Sequence, residues 1–311
     1  MTTSTPADAA PILLSATAVM FLSLRPQAFA TRIIGVLLLL LLAGCSSLKL
    51  GYHNAPALSY WWLDGYIDFT DDQAPPARAS LATLHDWHRR QELPAYADLL
   101  GRLQPLAAGP VTPELVCTFV GEVRLHLQRL GAQAAPGLAR VAPLLAPAQL
   151  QHLAQQFDKH NQTWREEWLD GTAEELLARR LERTVDRFES FYGRLSPAQQ
   201  QLLRQRLAAS GFDARLAWAE RLRRQQDTLR VLGQHQVAGQ PAQALVDMQA
   251  LVQRSLEPAD PAARAQFERM LQEGCQTMAA LHNSADAGQR RRLIERLQGY
   301  EADLRALAAE P

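Results

Sequence analysis

The sequence predicts an all-α fold: about nine helices, paired as antiparallel helical hairpins in a bundle, behind a cleaved leader. Three observations carry this. Apolar residues recur at helical spacing in almost every segment from residue 70 onward. The segments are bounded by explicit start and stop residues, with Ser, Thr, Asp or Pro before and Gly after. No alternating β-branched stretch bounded by turn residues competes. Turns of about two to five residues would join the helices.

Thr70-Asp71-Asp72-Gln73 reads as the first helix start, although the paired prolines Pro75 and Pro76 move the expected start toward Pro76. Thr112-Pro113-Glu114 opens a run with Leu115, Val116, Phe119, Val123, Leu127 and Leu130 on one side, and Gly131 reads as its stop. Pro147 begins a helix carrying Leu150, Leu153, Phe157, Trp164 and Trp168, ended by Gly171. Thr172-Ala173-Glu174-Glu175 is a capping box for a helix running to Gly193. Ser196-Pro197-Ala198-Gln199 repeats the box with glutamine, closing at Gly211; Asp213, Asp260 and Asp286 start the remaining three. A small or capping residue followed three positions later by Gln thus recurs at Thr70, Ala146, Ser196 and Asp286. It is a helix-start device first of all.

The chain before residue 70 is different. Gly35 to Gly44 is an apolar run of about ten residues, too short to span a bilayer but suited to a signal-peptide core. Leu42-Ala43-Gly44-Cys45 resembles the lipobox of bacterial lipoproteins. The resemblance implies cleavage after residue 44, acylation of Cys45, and a lipid anchor stable because it has more than one chain. Ser46, where an aspartate would resemble an inner-membrane retention signal, implies the periplasmic face of the outer membrane. Met20 offers a shorter, more ordinary leader, in which case residues 1–19 would be a misassigned start. The expected organisation is therefore a signal peptide over 1–44, a lipidated and aromatic-rich tether over 45–69, and a periplasmic helical domain over 70–311.

Without residues 1–44, which hold Arg25, Arg32 and Asp8, 30 basic residues face 31 acidic ones. A net charge of −1 gives no field that favours nucleic acid or anionic lipid. The expected partners are the outer membrane, through the acyl chains, and envelope proteins. Cys117 and Cys275 are the only other thiols; in an oxidising compartment they form a possible disulfide, and as small apolar side chains they also suit a core.

Tyr52, Tyr60, Trp61, Trp62, Tyr66 and Phe69 crowd into 18 residues. They either tie the tether to the bundle, form a membrane-interface belt, or bind a partner. Trp87-His88-Arg89-Arg90-Gln91-Glu92-Leu93-Pro94-Ala95-Tyr96-Ala97 is the other dense block. Trp61, Trp62, Trp87, His88, Arg89, Glu92 and Tyr96 make the candidate interaction surface. His85 and His88, at i and i+3, lack a third ligand at metal-site spacing, so no metal is expected. Glu166 and Glu167 point about 100° apart on a helix and cannot share a cleft between Trp164 and Trp168. No phosphate loop, nucleophile elbow or zinc-protease motif is present, and no catalytic residue or cofactor is assigned.

The block just quoted, with Cys45, Tyr52-His53-Asn54-Ala55, Trp62-Leu63, Tyr66-Ile67-Asp68-Phe69 and Gln73 before it, resembles a family of Gram-negative lipoproteins classed as a domain of unknown function. That resemblance implies an outer-membrane lipoprotein with an all-helical periplasmic domain. The Leu-x-x-x-Gln starts at 145–149 and 195–199 resemble the L-T-x-x-Q repeats of Spy-type periplasmic chaperones. The combined expectation is a non-enzymatic envelope interaction or chaperone-like module. An enzyme acting on peptidoglycan or lipid and a metal-sensing lipoprotein are the alternatives.

Overall fold

Six helices begin on side-chain caps that the sequence announces: Thr112, Thr172, Ser196, Asp213, Asp260 and Asp286 each accept a hydrogen bond from a backbone N–H of the first turn. They belong to a computed structural model that describes residues 46–236 and 241–310. The leader, the lipobox and Cys45 lie outside the described residues.

The elements are α1 (Ser46–His53), α2 (Ala55–Ile67), α3 (Ala74–Trp87), α4 (Leu93–Leu106), α5 (Pro113–Val141), α6 (Pro147–Trp168), α7 (Ala173–Tyr192), α8 (Pro197–Ala208), α9 (Ala214–Gln234), α10 (Pro241–Leu256), α11 (Pro261–Asn283) and α12 (Ala287–Ala309). A π-helical turn, His88–Glu92, joins α3 to α4 in one continuous rod. No strand occurs among the described residues, and none of their helices is long and apolar enough to cross a membrane. Leu48–Pro311 forms one compact unit.

The 29-residue α5 is the spine. The α3–α4 rod runs antiparallel along it, with Ser80 beside Gly137, Glu92 beside His126 and Arg129, and Arg102 bonded to Glu122. Helices α10 and α11 cover other faces of the spine, and the Cys117–Cys275 disulfide ties α5 to α11. Helix α4 packs along α12, antiparallel, through Asp98–Arg305 and Gln104–Glu301. The heaviest packing therefore joins helices far apart in sequence, where turn lengths suggested neighbouring hairpins.

Gly131 does not stop a helix. A Cβ there would lie 2.5 Å from Val252 Cγ1, so the glycine is where α10 comes close to the spine, and α5 continues past it. Gly193 does end its helix, at a φ of 73° that a side chain would resist. Helix α3 starts at Ala74 rather than Pro76, because both prolines fit the first turn, where no N–H is needed. Helix α10, for which the sequence reading had no start signal, buries Ala244, Met248 and Leu251 at helical spacing.

Two apolar cores result. The first gathers Ile67, Ala135, Leu145, Leu153, Val231 and Met248. The second gathers Phe188, Tyr192, Leu195, Leu203, Leu281 and Ala285. A pair of buried glutamines closes the end of each. Gln73 Nε2 donates to Gln149 Oε1 at 3.0 Å, and Gln149 Nε2 donates back to Gln73 Oε1 at 2.7 Å. Each Oε1 also accepts from its own helix start, Thr70 N–H or Ala146 N–H, and each Nε2 also donates to the opposite loop, at the Leu144 or Asp68 carbonyl. Gln199 and Gln289 repeat this arrangement with the N–H groups of Ser196 and Asp286 and the carbonyls of Ser284 and Arg194. Both donors and both acceptor positions of every amide are used, which is what burial of such a group requires. The four glutamine starts of the sequence are thus two interlocked pairs.

Candidate functional site

The block from Trp87 to Tyr96 sits where the rod widens. Pro94 has no N–H and its ring would collide with the carbonyl of residue 90 in a regular α-turn. An extra residue is taken into the turn instead: the Leu93 N–H donates to the His88 carbonyl, an i−5 bond. Such π-turns recur at functional sites, because they redirect side chains within an otherwise regular helix.

Here the side chain redirected inward is Glu92, which is fully buried. Its Oε2 accepts from His126 Nδ1 at 2.6 Å, and Arg129 Nη2 lies 2.9 Å from Oε1, off the hydrogen-bonding direction. Both partners come from α5. A buried charge costs several kcal/mol unless paired, so this cluster pins the rod to the spine at one register.

A row of rings leads outward from it. His126 meets the Tyr96 ring edge-on at 4.9 Å, and Tyr96 meets His88 at 5.5 Å. His88 Nδ1 shares a 2.9 Å hydrogen bond with the Tyr52 hydroxyl. The His85 ring lies against Tyr52 at 4.5 Å, tilted by 36°, and donates from Nε2 to its backbone carbonyl at 3.1 Å. Burial pushes the Tyr52 phenol up to about 12 and raises Tyr96, with Glu92 adding to the latter. Burial also lowers His88, against the pull of Glu92. A neutral imidazole there is the state suited to accepting the Tyr52 proton bond.

The candidate surface is therefore divided. Trp87, His88, Arg89 and Tyr96 are half-buried around the π-turn, and Glu92 is inside, so it is not part of any surface. His85 and His88 are both engaged by Tyr52, and no group of three or more His, Cys, Asp or Glu placed to hold a metal occurs among the described residues. The turn is the seat of α1: Tyr52 holds that helix there, while Lys49–Asp303 and His53–Glu310 hold it near α12.

Trp61 and Trp62 lie elsewhere, on the outer face of α2, 74% and 56% exposed beside Leu58 at 54%. The opposite face of α2 buries Tyr60 and Ile67, with Tyr66 stacked on His160. Of the two glutamates on α6, Glu167 pairs with Arg183 at 3.0 Å and Glu166 accepts from Gln162, so they diverge.

Residues 65–255, more than half of the chain, match the model of a family described as a family of unknown function, DUF6279. The chain belongs to that family. The match begins in α2 and runs to the end of α10, so it takes in the π-turn, the spine and the first glutamine pair. No curated protein and no solved structure matches the chain.

Sequence reasoning found the Trp87–Tyr96 block and missed what completes it. His126 and Arg129 sit on the helix read from its apolar run Leu115 to Leu130, and nothing local marks them as partners of Glu92. The usable signal was Pro94, a proline inside a helical pattern two residues after Glu92.

Proposed function

We propose that this member of the family is a lipid-anchored periplasmic protein of the outer membrane that acts through protein contacts, as an envelope interaction or chaperone-like module. The carrying observation is the outer face of α2, where Leu58, Trp61 and Trp62 stand in solvent on a helix whose other face is firmly packed. Exposed tryptophans on a rigid support are what interface hot spots are made of. The Cys117–Cys275 disulfide suits an oxidising compartment, in keeping with the lipobox. The glutamine helix starts resemble those of Spy-type chaperones and support the chaperone-like version.

The enzymatic alternative has less support, because the carboxylate of the most suggestive block is sealed from any substrate. The metal-sensing alternative would need His85 and His88 to leave Tyr52.

A photo-crosslinking residue at position 61 in the full chain, in intact cells, tests the reading. Adducts to envelope proteins that vanish in Trp62→Ala are expected. Adducts to lipid alone would overturn it and lay the face against the bilayer. Labelled palmitate incorporation, lost in Cys45→Ser, tests the anchor separately.

A further inference from the structure

A cavity of about 500 Å³ opens between α6, α9 and α11, away from both the π-turn and the outer face of α2. Its volume falls within the range of small-molecule sites. Trp164, Trp168, Phe212, Phe267, Met270 and Leu216 make its walls largely apolar. The aromatic wall is fixed from behind: Trp164 stacks on Trp218 at 5.4 Å, and Trp168 meets Phe212 edge-on at 5.5 Å.

The polar groups of the lining are informative because most are already satisfied. Glu220 accepts from Arg223 at 2.7 and 2.9 Å and from Arg224 Nε at 2.8 Å. Gln266 is committed to the backbone of Asp213, accepting from its N–H and donating to its carbonyl. Gln225 exchanges bonds with Asn161, whose Oδ1 also accepts from Arg221 Nε at 2.7 Å. What remains is the outer fork of two guanidiniums. The Nη groups of Arg221 and Arg224 have no hydrogen-bond acceptor among the described residues. Guanidinium is donor-only and always charged, so a ligand that replaces water at these groups presents acceptor oxygens, favourably anionic ones in planar array. The lining carries Glu220, Arg221 and Arg224 as its charged residues, one positive charge in excess.

We propose that this cavity is a binding site for a single-chain anionic amphiphile, an alkyl carboxylate whose tail lies on the tryptophan wall and whose head is held by Arg221 and Arg224. Apolar walls with two or three convergent polar groups are the general form of such sites. The flexible Met270 thioether adapts the wall to tails of different length. The site is independent of the lipid anchor and of the face on α2.

Decanoate titrated into the unit from Leu48 onward, which contains both cores, the disulfide and both glutamine pairs, tests this. Expected is saturable 1:1 binding, read by tryptophan fluorescence and by a rise in melting temperature. The uncharged analogue 1-decanol should bind at least tenfold more weakly. Arg221→Gln with Arg224→Gln should weaken decanoate tenfold or more and leave decanol little changed. Ala217→Phe, which puts a ring into the cavity and leaves every charged side chain of the lining in place, should abolish both, and it decides the matter if the arginine variant fails to fold. Absence of saturable decanoate binding, equal binding of decanol, or undiminished binding in Ala217→Phe would overturn the proposal.

Discussion

The two glutamine pairs close similar ends in similar ways, but only one of them is fully capped. At the second end, Ser196 and Asp286 each accept the N–H of their own glutamine while the glutamine side chain reaches back. At the first end, Ala146 has no side-chain oxygen to offer, and at Thr70 the hydroxyl makes no cap; the contacts there are backbone ones and the glutamine's own. Yet the amide-to-amide geometry is nearly the same, 2.7 and 3.0 Å in one pair against 2.8 and 3.0 Å in the other. The interlock is therefore a property of the glutamines and the loop carbonyls two residues before each start. Side-chain capping is an addition that the first end lacks.

The largest expected effect comes from separating the two ends. Cys117 lies on the spine, which carries part of the first core, and Cys275 lies on α11, which carries part of the second. A bridge across 158 residues stabilises by roughly 5 kcal/mol on loop entropy alone. With Cys117→Ser and Cys275→Ser, the urea transition should move to lower concentration by an amount of that order and split into two. A single unshifted transition would mean that the ends are coupled through packing instead.

Next comes the interlock. Gln199→Leu strands the Gln289 amide, the Ser196 N–H and the Ser284 carbonyl together, at about 1–3 kcal/mol per unsatisfied group. A loss of roughly 4 kcal/mol is expected, summing partial penalties. Gln289→Leu added to it should cost much less than it does alone, because its partner is already gone. Gln73→Leu should behave alike at the first end. Additive losses in the double variant would show that the amides are not coupled.

How far the sequence reveals this follows from which forces act locally. Ser196 to Gln199 and Thr172 to Glu175 are read directly, since a cap and its partner lie within one turn. That Gln199 meets Gln289, 90 residues on, is set by tertiary packing and leaves no local mark. Gly131 misleads for the same reason: a glycine that ends a helix and a glycine that admits α10 look alike until Val252 is in place. Glu92 reads as a surface residue because its partners His126 and Arg129 are 34 and 37 positions away on the spine.

The ends should also differ in their response to pH. At the second, the Tyr192 hydroxyl and His282 Nδ1 share a 3.0 Å hydrogen bond, and His282 Nε2 lies 2.8 Å from the Gly109 carbonyl. Burial lowers His282 from its ordinary 6.5, outweighing the Gly109 bond, so below that value the unfolded chain takes up more protons than the folded one. Stability from this group is complete above 6.5 and declines as pH falls. Tyr192 works in the opposite direction: burial raises its phenol from 10 to about 12, so its contribution is complete below 10 and lost as pH rises toward 12. His88 at the π-turn is lowered too and has the same sign as His282. His282→Gln should therefore flatten only part of the acid limb as pH falls below 6.5, with His88→Gln removing more. An unchanged acid limb in both variants would place the titration elsewhere.

The smallest effects test the capping difference itself. Ser196→Ala removes an acceptor from the Gln199 N–H and should cost about 1 kcal/mol. Ala146→Ser supplies that acceptor at the first end, where the backbone at 146 already has the extended conformation of a cap, φ −80° and ψ 156°. A gain of about 1 kcal/mol is expected, because the serine hydroxyl needs no backbone movement to reach the Gln149 N–H. If Ala146→Ser is neutral while Ser196→Ala is costly, the glutamine interlock at the first end already supplies what a cap would add. The two ends would then differ in how they meet the same requirement, rather than in how well.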